Sequence, residues 1–122
     1  MIRIPNRDVP DLVARLQPFL TANKTVEGIN QADLYIVYSY GYHWPLAVYD
    51  TKASTWYTHN DRASNTTSRH ASLVRQGTAH HISSCPPDFI HQITLPSVED
   101  LKDLIRRGGL PALVAHRLGS PA

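Results

Sequence analysis

The feature that most constrains the fold is an aromatic-rich stretch in the middle of the chain, between Tyr35 and Gln76. All six tyrosines and both tryptophans of the 122 residues lie in this stretch. Residues 34–40, 46–50 and 55–59 combine aromatic and β-branched side chains, a composition typical of strands. The connections between these runs are too short for a crossover. The sequence therefore predicts a three-stranded antiparallel meander.

The segment before the meander has a helical pattern followed by polar residues. Apolar side chains recur at helical spacing from Val9 to Leu20, and Asp8 is placed to cap the helix that they predict. Pro18 is expected to end or kink this helix near Gln17. Residues 23–31 are mostly polar and include a glycine, so they are predicted to form a loop.

The segment after the meander is predicted to hold two helices and another strand. Residues 66–76 form the first helix, which Asn65 or Thr66 caps and Gly77 ends. Residues 78–84 are then a short strand or loop, and residues 89–95 a further strand. Ser97 begins the best-marked helix, which a pair of glycines at 108 and 109 stops. A last short helix is expected over 110–118, with a frayed tail at 119–122.

Together these elements predict an α+β fold, an antiparallel β-meander of three to five strands with helices packed on one face. Residues 1–122 are expected to form a single domain, because the chain is too short for two separate cores. Cys85 is the only cysteine, which excludes an intrachain disulfide. The formal charge of +2 argues against a DNA mimic and is too small to indicate nucleic-acid binding by itself.

A cluster of hydroxyls and cations follows the meander at the predicted helix start. Backbone N–H groups at such a start carry partial positive charge and can hold a phosphate or carboxylate. Arg62 and Arg75 would extend the positive patch. The alternative is an ordinary helix cap with a solvated first turn. The cluster consists of Thr66, Thr67, Ser68, Arg69 and His70.

The aromatic residues have two interpretations. Tyr38 and Tyr40 alternate along the first strand and are expected to share a face, opposite Tyr35. They would either stack bases, as in single-strand binders, or pack in the core with their hydroxyls near the surface. Aromatic and arginine side chains also anchor protein interfaces. The residues considered as anchors on this ground are Tyr42, Trp44, Trp56 and Arg62.

Enzymatic chemistry is a weaker hypothesis from the same residues. His70 could act as acid or base on a phosphate ester, with Arg69 and Thr67 stabilising charge, as in metal-independent nucleases. His80 and His81 are adjacent, so their side chains diverge in a regular element. No H-E-x-x-H or Cys-His cluster is present, and no metal or cofactor is expected.

The segment from Tyr35 through Ser39-Tyr40-Gly41 to Thr66-Thr67-Ser68-Arg69-His70 resembles a small domain that recurs in phage and plasmid proteins. That family pairs a Tyr-Ser-Tyr hairpin with a Thr-Thr-Ser-x-His helix start. The resemblance covers about a third of the chain and implies a mobile-element origin. Ala71 stands where the family often has Gln, and Arg62-Ala63 where it often has Lys-Tyr.

The resemblance favours a phage or mobile-element accessory protein that binds a host protein or ribonucleoprotein complex. By analogy, it could inhibit a host defence system such as CRISPR. Direct nucleic-acid binding is the first alternative and a His70-dependent enzyme the second. The chain lacks an apolar run long enough for a membrane span and a recognisable leader, so we expect a cytoplasmic location in a host bacterium. The sequence gives no indication of oligomeric state.

Overall fold

The computed structural model describes residues 2–40, 44–62, 64–87 and 89–109. A mixed sheet of seven strands forms its centre, with three helices packed on it. The strands are β1 (Ile2–Ile4), β2 (Phe19–Thr21), β3 (Val26–Gln31), β4 (Leu34–Ser39), β5 (Trp44–Asp50), β6 (Thr55–His59) and β7 (His91–Leu95). The helices are α1 (Val9–Ala14), α2 (Asn65–Ser83) and α3 (Val98–Arg106), with a 3-10 turn at Asn6–Asp8. In the described residues, no helix is both long enough and apolar enough to cross a membrane.

The strands lie in the sheet in their order along the chain. The predicted meander is confirmed, because β4, β5 and β6 pair antiparallel. The prediction of an antiparallel sheet of three to five strands is wrong in two respects. The sheet has seven strands, and β1 pairs parallel with β2 and β6 pairs parallel with β7. Parallel neighbours need a crossover connection, and α1 and α2 supply the two crossovers.

The helices cover both faces of the sheet, which corrects the prediction of helices on one face. α1 and α2 pack on one face through Val9, Val13 and Val74. α3 packs on the other through Leu101 and Leu104. All six residues of β4 are buried, as expected for a central strand that is covered on both sides.

Two predictions before the meander are wrong. Residues 23–25 do form a turn, but residues 26–31 are not a loop, because β3 pairs with β4 along its whole length. Gly28 interrupts the alternation of apolar and polar side chains by which a strand is recognised in a sequence. Only glycine fits at this position, because the ring of Phe19 lies against it. A Cβ at Gly28 would lie 2.6 Å from Cε1 of Phe19. The predicted first helix is also too long: α1 ends at Ala14, and Phe19 belongs to β2.

The end of α1 has a local cause. Leu16 adopts a left-handed conformation (φ 54°), and its N–H bonds to the carbonyl of Val13 at 3.0 Å. The N–H of Gln17 bonds to the carbonyl of Leu12 at 2.9 Å, which completes a Schellman motif. At the other end, Asp8 occupies the N-cap position but makes no side-chain capping bond.

α2 begins close to the predicted position but continues further. Its cap is Ser64 instead of Asn65 or Thr66. Gly77 does not end the helix, and residues 78–83 are helical instead of strand or loop. A Cβ at Gly77 would lie 2.6 Å from Cβ of Val13, so the glycine allows α1 and α2 to approach closely. Glycine is unfavourable inside a helix, but here the packing of α1 on α2 requires it and the helix continues.

The predicted helix after Ser97 is confirmed. The Ser97 hydroxyl accepts a hydrogen bond from the backbone N–H of Asp100 at 3.3 Å. Gly108 and Gly109 both have positive φ, and their N–H groups bond to the carbonyls of Ile105 and Leu104. This second Schellman motif ends α3. The predicted helix over 110–118, the predicted tail at 119–122 and Tyr42 lie outside the described residues.

Candidate functional site

The β6–α2–β7 unit determines where the candidate site lies. β6 ends at His59, and a short loop leads from it to the start of α2. β7 returns parallel to β6, so the carboxyl ends of both strands meet near that helix start. In open α/β sheets, ligands bind in the crevice outside the carboxyl ends of parallel strands. A cleft of about 360 Å³ occupies this position in the protein.

We name this the arginine cleft, because Arg62 and Arg75 both line it. Trp44 and Leu46 of β5 and Val74 of α2 form part of an apolar floor. Around this floor lie hydroxyl groups and the two guanidinium groups. The polar lining residues include Thr58, Thr67, Ser68, Ser72 and Thr94. An apolar floor with a few polar groups is typical of ligand pockets.

The loop that carries Arg62 is fixed by hydrogen bonds to three elements. The Asp61 carboxylate accepts a bond from the N–H of Val98 at 2.7 Å, at the start of α3. The N–H of Asp61 donates to Nδ1 of His59 at 3.1 Å. Because Nδ1 accepts, the proton of the neutral ring is on Nε2, which donates to the carbonyl of Pro45 at 2.8 Å. The loop is thereby held against β5, β6 and α3.

Trp44 adds an unusual feature to the floor of the arginine cleft. Its ring meets that of His59 edge to face, with centroids 5.6 Å apart. The indole N–H is buried, and no described residue accepts a hydrogen bond from it. A buried donor without an acceptor costs about 1–3 kcal/mol.

The charge around α2 is positive. Residues 62–87 contain three arginines and no aspartate or glutamate. The side chains of Arg62, Arg69 and Arg75 are exposed. None of the three forms an ion pair within the described part of the chain, where the carboxylates that form ion pairs are those of Asp11, Asp33, Glu99 and Asp103. Three cations that no described carboxylate pairs with therefore surround the first turns of one helix.

A second cleft, of about 490 Å³, lies on the other side of the same helix turns. We name it the tyrosine cleft, because the exposed ring of Tyr40 lines it together with Thr66, Arg69 and His70. Asn6, Asn23, Thr25 and Leu73 complete most of its wall. Ser72 lines both clefts, so the two are adjacent.

His70 is buried and hydrogen-bonded. Only 4% of its surface is exposed, and Nδ1 lies 2.8 Å from the hydroxyl of Ser39, which is itself fully buried. Burial lowers the pKa of His70, because the charged ring would lose its hydration. The pair connects α2 to β4, which gives His70 a structural role.

The predicted cluster is divided by the helix. Thr67, Ser68 and Arg75 face the arginine cleft, whereas Thr66, Arg69 and His70 face the tyrosine cleft. Successive helical residues point about 100° apart, so one contiguous cluster serves two surfaces. Sequence reasoning missed Ser72, although it follows Ser68 by one helical turn. It also missed Thr94, which only the parallel pairing of β7 brings to this place.

Two predicted binding residues lie in the core. Trp56 is 1% exposed, and its indole N–H donates to Nδ1 of His81 at 3.0 Å. Burial lowers the pKa of His81. Tyr38 is 6% exposed and packs with α3, so it does not share a face with Tyr40, whose ring lies against His70. Neither Trp56 nor Tyr38 offers a surface to a partner in this conformation.

Comparisons with protein-family models, curated proteins and solved structures gave no match. In the described ranges, no three side chains of the types that ligate metals come together. The functional argument therefore starts from the two clefts and the arginines around them.

Proposed function

We propose that this protein binds nucleic acid, and that it holds the phosphates along the first turns of α2. The observation that carries this proposal is the set of three exposed arginines around a hydroxyl-rich helix start, none of which pairs with a carboxylate of the described residues. Positive side chains that neutralise phosphates supply most of the affinity in non-specific nucleic-acid binding. Hydroxyls and helix N-termini position the same phosphates.

The placement of the arginines supports a chain of phosphates instead of a single anion. Arg62 and Arg75 line one cleft and Arg69 lines the other. Arg69 and Arg75 are six residues apart in the helix, about 9 Å along its axis. A polyanion that crosses α2 can therefore contact cations on both sides.

The carboxylate of Asp61 does not neutralise the arginines by pairing with one of them. Among the described residues, Asp61 is the only acidic one that lines the arginine cleft, and its carboxylate accepts a hydrogen bond from the backbone of α3. The Ser72 hydroxyl donates to the carbonyl of Ser68 at 3.1 Å and accepts a bond from Arg75 at 3.1 Å, so it positions the guanidinium group of Arg75. The side chain of Ser68 lines the same cleft beside it.

The wider biological setting is also a proposal. An accessory protein of a phage or plasmid that occludes a host ribonucleoprotein, such as a CRISPR complex, would meet phosphates on its partner. A purely protein partner has less support, because Trp56 is buried and Tyr42 lies outside the described residues, which leaves Trp44 and Arg62 of the four predicted anchors. We therefore favour the nucleic-acid component of such a partner.

The nuclease hypothesis has the least support. A general base must reach the proton that it removes, and His70 is almost completely buried. Its Nδ1 is engaged with Ser39, a residue with no exposed surface that could act as nucleophile. The remaining groups near His70 suit binding better than proton transfer.

The proposal is tested by fluorescence anisotropy with labelled single-stranded and duplex oligonucleotides at 50 mM salt. Wild type should bind at least one of them with a dissociation constant in the range ~1–100 μM or tighter. Replacing Arg62, Arg69 and Arg75 together by Gln should weaken binding more than tenfold. Arg106→Gln is the matched control, since Arg106 pairs with Asp103 on α3 and should not affect binding. No binding by wild type at about 100 μM would end the proposal.

A further inference from the structure

The backbone conformation of Tyr40 is unfavourable for a tyrosine. It follows β4 directly, and 49% of its surface is exposed. Its backbone is left-handed, with φ of 56°. Aromatic residues rarely adopt this conformation, which glycine or asparagine adopts with little strain. The turn would be more stable with either of those residues, so the tyrosine ring calls for another explanation.

The ring of Tyr40 is held in place. The N–H of Tyr40 donates to the carbonyl of Thr25 at 2.8 Å. The ring lies against His70, with centroids 5.5 Å apart and planes inclined by 47°. His70 is itself fixed by Ser39 at 2.8 Å. The part of the ring that His70 does not cover borders the tyrosine cleft beside Arg69.

We propose that Tyr40 is a stacking platform for an unpaired base, so that the protein prefers single-stranded to duplex nucleic acid. This inference rests on the proposed function. Phosphates that follow the arginines across Ser72, which lines both clefts, would bring the adjoining base to the tyrosine cleft. Bases in a duplex are stacked on each other and cannot reach the ring, whereas bases of a single strand can.

The stacking role separates from the phosphate contacts by mutation. Tyr40→Ala should weaken binding of a 12-nucleotide single strand by about 5- to 150-fold, the range for loss of one aromatic stacking partner. It should leave duplex affinity within about twofold, and it should leave the salt dependence of single-strand binding unchanged, because no phosphate contact is lost. Tyr40→Phe keeps the ring and should bind within about twofold of wild type.

A further variant separates binding from folding. Tyr40→Asn removes the ring and suits the left-handed backbone, so its melting temperature should equal or exceed that of wild type while single-strand binding falls as in Tyr40→Ala. Single-strand binding that survives in both variants would overturn the stacking role and leave the proposed function intact. Equal losses for single strand and duplex would also overturn it. A wild type that binds neither would contradict the proposed function and the inference with it.

Discussion

The close packing of α1 against Gly77 of α2 gives a prediction that does not depend on function. In Gly77→Ala, the new Cβ would lie 2.6 Å from Cβ of Val13 and 2.7 Å from the carbonyl oxygen of Pro10. Both distances are shorter than van der Waals contact, and neither atom can move by a simple side-chain rotation. The helices must separate or the backbone must distort.

Two opposing effects set the size of the change. Alanine is favoured over glycine inside a helix by about 0.5–1 kcal/mol. Overpacking a well-packed core costs about 1–3 kcal/mol, and contact with a backbone atom places this site in the upper part of that range. We therefore expect Gly77→Ala to lower the free energy of unfolding by about 1–2 kcal/mol. For a chain of this size the melting temperature should fall by roughly 4–8 °C.

Urea denaturation followed by circular dichroism measures this change. Gln76→Ala, at the exposed neighbouring position, is the control and should stay within about 0.5 kcal/mol of wild type. Combining Gly77→Ala with Val13→Ala should cost less than the sum of the two single changes, because the smaller side chain relieves part of the clash. A Gly77→Ala variant as stable as wild type, or more stable, would refute the reasoning.

Further predictions concern pH, capping and charge. Burial lowers the pKa of His70 and His81, so the unfolded chain takes up protons first as the pH falls below about 6.5. The free energy of unfolding should be constant above that pH and decline below it, by up to about 1.4 kcal/mol per pH unit for each ring, until the pH falls below the lowered pKa values. Equal urea midpoints at pH 7.5 and 5.5 would contradict this. Ser64→Ala should cost about 1 kcal/mol in urea denaturation, because the N–H of Thr67 loses its capping acceptor, whereas Ser64→Asp should cost little. Asp61→Asn keeps an acceptor for α3 and removes a negative charge, so anisotropy at 50 mM salt should show about twofold tighter binding of the oligonucleotide. Weaker binding would contradict the positive potential that we assign to the arginine cleft.

The predictable parts of the fold are those in which local signals agree with the final structure. β4 to β6 carry dense β-branched and aromatic residues, and α3 has a serine cap and two terminal glycines. The extent of α2 was not predictable, because Gly77 carries the local signal of a helix end. Only its contact with Val13 explains why the helix continues. β3 was missed for a similar reason, since Gly28 is required by Phe19 of a neighbouring strand.

The candidate site was predictable as a set of residues but not as a surface. The hydroxyl–arginine cluster does lie at a helix start. Its division between two clefts depends on how α2 is rotated on the sheet, which local sequence does not specify. Trp56 and Tyr38 were interpreted as possible surface residues, whereas the cover of both sheet faces by helices places them in the core. The strained conformation of Tyr40 has no signal in the sequence.

The salt dependence of single-strand binding tests the central claim most directly. Each arginine that neutralises one phosphate contributes about −0.7 to the slope of log K against log salt concentration. Arg62, Arg69 and Arg75 should together contribute about −2, which corresponds to roughly a 20-fold loss of affinity between 50 and 200 mM salt. The triple Gln variant should therefore show a slope shallower by about 2 than that of wild type. Equal slopes for the two proteins, or wild-type binding that does not respond to salt, would contradict the account.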